Sequence, residues 1–230
     1  MKRLKFSRYA LVGVVALMLV SNVAYSQFGG LGKVMGGGGG GADWSSIVDS
    51  FNGSLGKLGK ESAAVGRVIA DLADALGLKE EAALMRKEAK NLEEKGDSLG
   101  TAELDAYGAV SDSTLEKVKA KLESGGDLSA DQKKKMVKAG GKYAKALLGA
   151  VAASTQLAKA GQDASKAGAP SMGDGMKAIK AAKNIPILTP KALSFVSKSV
   201  SAGQSVFKIM RAKGVALPDL DIDMSDMDDD

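Results

Sequence analysis

Five lysines carry the clearest chemical pattern in the chain. Lys134, Lys135, Lys138, Lys142 and Lys145 recur at steps of one, three and four, which places them on one side of a helix. An array of ammonium groups makes and breaks no bonds. Each is a compact, hydrated point charge, suited to diffuse attraction rather than to bidentate recognition. The partners such a face fits are anionic: phospholipid headgroups, an acidic glycan, or the acidic region of a protein, another copy of the chain included. Nucleic acid is not expected, because no aromatic residues are interleaved for base stacking.

The second constellation is its opposite in sign. Asp219, Asp221, Asp223, Asp226, Asp228, Asp229 and Asp230 crowd the last residues of the chain. Alternating aspartates superficially resemble a calcium-binding helix–loop–helix loop, but Met224 stands where that loop needs glycine, Asp230 where it needs glutamate, and no helix follows. Three uses remain: a disordered solubilising tail, a strand of charge that folds back on the basic helices or reaches a partner's, or a loose calcium site. No metal site is assigned.

The remaining residue types exclude much enzymatic chemistry. With no Cys and no His, the chain lacks the usual ligands for zinc, copper and iron, the thiol nucleophile, and the commonest base near neutral pH. No nucleophile-elbow Gly-x-Ser-x-Gly occurs, and carboxylates such as Asp71, Asp74, Glu80 and Glu81 sit in ordinary charged helix faces. The glycine-rich stretch fails as a phosphate loop, since Val34 follows Gly32-Lys33 where Ser or Thr is required. Neither a catalytic residue nor a cofactor is expected.

Charge is segregated along the chain. Residues 27–131 hold 12 basic and 18 acidic residues, residues 132–218 hold 16 and 2, and residues 219–230 hold none and 7. No acid interrupts the run from Gln132 to Gln162, and Lys191, Lys198, Lys208, Arg211 and Lys213 repeat the theme near the end. Two readings follow. Either the acidic helices flank the basic ones and neutralise them within the fold, or part of the basic face stays open to a partner.

The N-terminus places this pattern in a compartment. Lys2, Arg3, Lys5 and Arg8 precede an apolar run from Tyr9 to Val20, and Ala24-Tyr25-Ser26 supplies small residues for cleavage after Ser26. That is a secretory signal peptide over residues 1–26, too short in its apolar part to span a bilayer. The mature protein is expected in the periplasm or outside the cell. Residues 27–42, with six consecutive glycines from Gly36 to Gly41, read as a flexible tether.

Residues 43–217 must then position the lysines, and their periodicity is helical throughout. The expected fold is all-α: a bundle of five to six amphipathic helices between the tether and an acidic tail at residues 218–230. From Asp43, residues Trp44, Val48, Phe51, Leu55, Leu58, Ser62, Val65, Ile69, Leu72 and Leu76 form a heptad seam that Gly77 ends. A second helix runs from Lys79 to Lys95, and a third, capped by Thr101, runs to Ser124. Ser129 and Gln132 form a capping box for the fourth, whose apolar face is read as Met136, Val137, Tyr143, Ala144, Leu147, Leu148, Val151 and Ala158, with fraying from Gly161 to Gly168. A short fifth helix is expected from Met172 to Lys183, a turn from Asn184 to Pro190, and a last helix capped by Thr189, opened by Pro190 and closed at Gly214.

Function follows from these features as an expectation only. The leading reading is a non-enzymatic structural or interaction protein of the bacterial cell envelope, acting through helix–helix contacts and its charge-segregated surface. A membrane-active or lipid-binding bundle is the alternative, based on the basic fourth helix and its low-polarity run from Ala146 to Ala153, itself too short to span a bilayer.

Overall fold

The computed structural model describes residues 43–217, which fold into five α-helices with no strand among them. These are α1 (Trp44–Ala75), α2 (Lys79–Lys95), α3 (Thr101–Ser124), α4 (Ala130–Ala167) and α5 (Gly175–Ala212). The expected leader and tether, residues 1–42, and the aspartate-rich residues 218–230 lie outside the described residues.

The helix ends follow from local chemistry. Asp43 accepts a hydrogen bond from the Ser46 amide at 3.2 Å and caps α1. Gly77, at φ +80°, stops it: the Gly77 amide donates to Asp74 O at 3.0 Å and the Leu78 amide to Ala73 O at 2.9 Å. Gly214 repeats this device at the end of α5, where the Val215 amide reaches Met210 O at 3.0 Å and both side chains are buried. Ser129 and Gln132 make the reciprocal capping box of α4, and the Gln132 side-chain amide also donates to Ala75 O at the end of α1, 3.3 Å away. Gly100 rather than Thr101 precedes the first turn of α3, and its amide donates to Glu103 at 3.2 Å.

The expected break around Asn184 to Pro190 is absent. A single 38-residue helix runs through both Pro186 and Pro190. Each proline removes one backbone donor, yet the four-residue spacing keeps both on one side of α5. Ala178, Ala181, Ile185, Leu188, Ala192 and Val196 continue the three-and-four rhythm across the site and are buried. Continuous burial outweighs the local preference. Thr189, expected as a cap, lies inside the helix with its hydroxyl buried and unpartnered.

The helices form a ring in which α1 packs on α2 and α4, α4 on α5, α5 on α3, and α3 on α2, while α1 also touches α3 and α5. All ten residues of the α1 seam are buried, Ser62 included. Two tyrosine-to-glycine contacts lock the ring. Tyr143 of α4 lies over Gly203 of α5 and donates to Ser199 O at 2.8 Å, and Tyr107 of α3 lies over Gly66 of α1 and donates to Ser62 O. Each ring also meets a phenylalanine of α5: Tyr107 meets Phe195 at 5.3 Å and Tyr143 meets Phe207 at 5.5 Å between centroids. Burial pushes both phenols above their ordinary ionisation range.

Candidate functional site

The capping box at Ser129 fixes where α4 begins, and its packing against α1 and α5 fixes which side faces water. Buried Met136, Ala139, Gly140, Tyr143, Ala146, Leu147 and Ala150 define the inner side. Leu217 and Phe207 close over Gly140, and Thr189 over Gly161, so small residues let the neighbouring elements approach. Lys134, Lys135, Lys138, Lys142 and Lys145 therefore all point outward and are all exposed. From Lys134 to Lys145 the row is about 16 Å long.

Val137 and Leu148, read from sequence as part of the apolar face, do not belong to the core. They are 38% and 37% exposed. Val137 adjoins the lysine row at its start and Leu148 follows at its end, so the row is cationic with apolar neighbours. Leu84 of α2 is a similar case at 48% exposure. In each instance an adjacent residue, Met136, Leu147 or Met85, takes the buried position.

Few carboxylates reach the row, and Glu61 of α1 lies against Gly149, one turn beyond Lys145. Lys135 pairs with Asp131 at 3.0 Å on its own helix, and Lys142 approaches Asp71 of α1 at 3.9 Å. Among the described residues no ion pair joins Lys134, Lys138 or Lys145 to an acid. The only other ion pair across the two halves described is Lys191 with Asp105. Lys57 also donates a hydrogen bond to the uncharged Gln156 side chain at 3.2 Å. Exposed pairs of this kind contribute only about 0–1 kcal/mol each.

Part of the acidic half's carboxylate is paired within that half. Arg67 pairs with Glu93, Arg86 with Asp71 and Asp74 at 3.4 and 3.5 Å, Lys117 with Glu81 at 2.7 Å, and Lys95 with Glu103 at 2.9 Å. The Lys117 and Lys95 hydrogen bonds hold the Glu81 and Glu103 carboxyls below the usual carboxylate range. An open groove of about 400 Å³ between α2 and α3 is lined by Glu88, Glu94, Lys95 and Glu103. Glu103 there is already engaged by Lys95, and nothing in the groove pairs a nucleophile with a base.

The seven aspartates of the tail, Asp219 to Asp230, lie outside the described residues. What is fixed is the point from which they depart: Leu217, packed on Gly140 of α4. The chain matches no protein-family model, no curated protein and no solved structure.

Proposed function

We propose that this is an exported, non-enzymatic interaction protein of the cell envelope, and that the outer side of α4 is its docking face for an acidic partner. The observation that carries the reading is that Lys134, Lys138 and Lys145 are exposed and form no ion pair with a carboxylate among the described residues. Packing of the bundle leaves this row open, while several acids of α1 to α3 pair with cations of their own half. A face held on a rigid, well-capped helix presents its charge at fixed spacing. That lowers the ordering cost of binding and steers an anionic partner toward it.

The reading predicts that position, not net charge alone, governs binding. The test compares two charge reversals in the chain of residues 27–230. K134E/K138E/K145E reverses the open row, and K79E/K87E/K90E makes the same change in net charge on α2. Retention on immobilised poly-glutamate is measured against rising salt. The α4 variant is expected to elute at clearly lower salt than the α2 variant. Co-elution of the two would show that only total charge matters and would remove the basis for a docking face.

A further inference from the structure

The three most exposed large apolar side chains described all belong to the first half of α5 and the turn before it. Met172 is 92% exposed, Met176 68% and Ile187 58%. Met172 opens the single helical turn Met172–Asp174 that links α4 to α5, and Met176 is in the first turn of α5. At 100° and 1.5 Å per residue, Ile187 lies about 20° around the helix from Met176 and about 16 Å along it. Lys180 and Lys183 fall between them on the same exposed side. Lys177 adjoins Met176, and Lys166 is exposed in the last turn of α4. Among the described residues no ion pair engages any of these four lysines. Of the acids nearest in sequence, exposed Asp163 stands three residues before Lys166 on α4, and Asp174 is turned onto its own loop. It accepts from the Ser171 amide at 2.7 Å and the Ser171 hydroxyl at 2.6 Å.

We propose that this end of the bundle docks on an anionic lipid bilayer, with Met172, Met176 and Ile187 entering the interface and Lys166, Lys177, Lys180 and Lys183 meeting the headgroups. The charge of the collar selects an anionic surface. Three features favour lipid over a protein groove. Methionine is unbranched and adapts to a fluid, shapeless environment. Lysine stems can run beside inserted apolar groups while the ammonium stays at headgroup level. Apolar and cationic residues also share one stripe, matching a plane in which charge lies directly above hydrocarbon rather than beside it. Each lysine held near such a surface raises affinity by about fivefold. Docking is interfacial, since no described helix is long and apolar enough to cross a membrane. The proposal is independent of the α4 row.

The absence of cysteine allows single-site labelling. In the chain of residues 27–230, which omits the apolar leader, an environment-sensitive dye is attached through M176C and, as a control on α2, through L84C. Vesicles of phosphatidylcholine alone and of an equal mixture with phosphatidylglycerol are added. A blue shift at position 176 with the anionic vesicles, little shift with the neutral ones and none at position 84 is expected. Unlabelled M172S/M176S/I187S, altered only at exposed side chains, should melt like the parent and lose about tenfold or more in affinity for the anionic vesicles. A dye at position 176 that stays in water, a dye at position 84 that shifts equally, or a triple-serine variant that binds like the parent overturns the proposal. So does vesicle binding that K134E/K138E/K145E abolishes and the triple-serine variant leaves intact, which would move the lipid contact to α4.

Discussion

Gly203→Ala isolates the contact that joins the two basic helices. A methyl group at position 203 would lie 2.4 Å from Tyr143 Cε1 and 2.5 Å from its hydroxyl oxygen, where carbon atoms at rest sit about 3.5–4.0 Å apart. The ring must therefore retreat by more than about 1 Å. It has nowhere to go: Tyr143 is 1% exposed, Phe207 lies against it, and its hydroxyl is committed to Ser199 O. Overpacking of this kind costs about 1–3 kcal/mol, and straining the hydrogen bond adds about 1 kcal/mol. Replacing glycine within a helix returns about 1 kcal/mol. The net loss is about 1–3 kcal/mol, or roughly 2–10 °C in melting temperature for a domain of this size. Gly53→Ala is the internal control. That glycine is exposed with no atom within 4 Å of the added carbon, so the substitution should stabilise by up to about 1 kcal/mol. Urea titrations followed by circular dichroism and by the fluorescence of Trp44, the only tryptophan, measure both. If Gly203→Ala proves as stable as Gly53→Ala, the close packing of α4 on α5 through Tyr143 is wrong.

Other outcomes follow from the same geometry. Thr189→Val removes a buried hydroxyl that has no partner while keeping its shape, and should stabilise by about 1 kcal/mol in the same titration. The chain has four tyrosines, of which Tyr9 and Tyr25 precede residue 27, so the chain of residues 27–230 retains only Tyr107 and Tyr143, both buried. Their folded-state ionisation lies above that of the unfolded chain. The stability this lends is complete below the unfolded value near pH 10 and is lost as pH rises beyond it. Phenolate absorbance should therefore appear in one cooperative step together with the loss of helical circular dichroism; a gradual rise in folded protein would contradict the burial. Deleting residues 219–230, a charge of −7 that departs beside α4 at Leu217, should raise retention on poly-glutamate at low salt, an effect that high salt erases. Unchanged retention would show that the tail does not compete for the row.

Much of the scaffold was legible because large apolar residues mark it. The α1 seam from Trp44 to Leu76 could be read residue by residue, as could the capping box at Ser129 and the glycine stops at Gly77 and Gly214. Helix α4 was harder for a physical reason. It is rich in Ala and Gly, so its inner side is chosen by how closely neighbours approach Ala139, Gly140, Ala146 and Ala150, and hydropathy barely distinguishes those positions from their surroundings. Adjacent pairs such as Met136-Val137 and Leu147-Leu148 then looked alike, although a step of 100° separates core from surface. Pro186 and Pro190 misled for another reason: the local signal for a turn was real, and tertiary burial of Ile185, Leu188 and Ala192 overrode it. The tyrosine contacts with Gly66 and Gly203 depend on which helices are neighbours, which one-dimensional periodicity does not encode. The exposure of Met172, Met176 and Ile187 depends on where α5 begins, and that boundary moved with the prolines. The lysine row itself needed only its spacing, but whether acids would cover it required the packing.

The most direct test of the docking face asks whether the row is covered where the protein works. Intact cells and the purified chain of residues 27–230 are treated briefly with a membrane-impermeant amine-acylating reagent, after permeabilising the outer barrier of the cells, and labelling is read by peptide mass spectrometry. Lys87 of α2, exposed and without an ion pair among the described residues, serves as the reference amine. Lys134, Lys138 and Lys145 are expected to react as fast as Lys87 in the purified chain and markedly more slowly than Lys87 in cells. Equal reactivity of all four lysines in both settings would contradict the docking face.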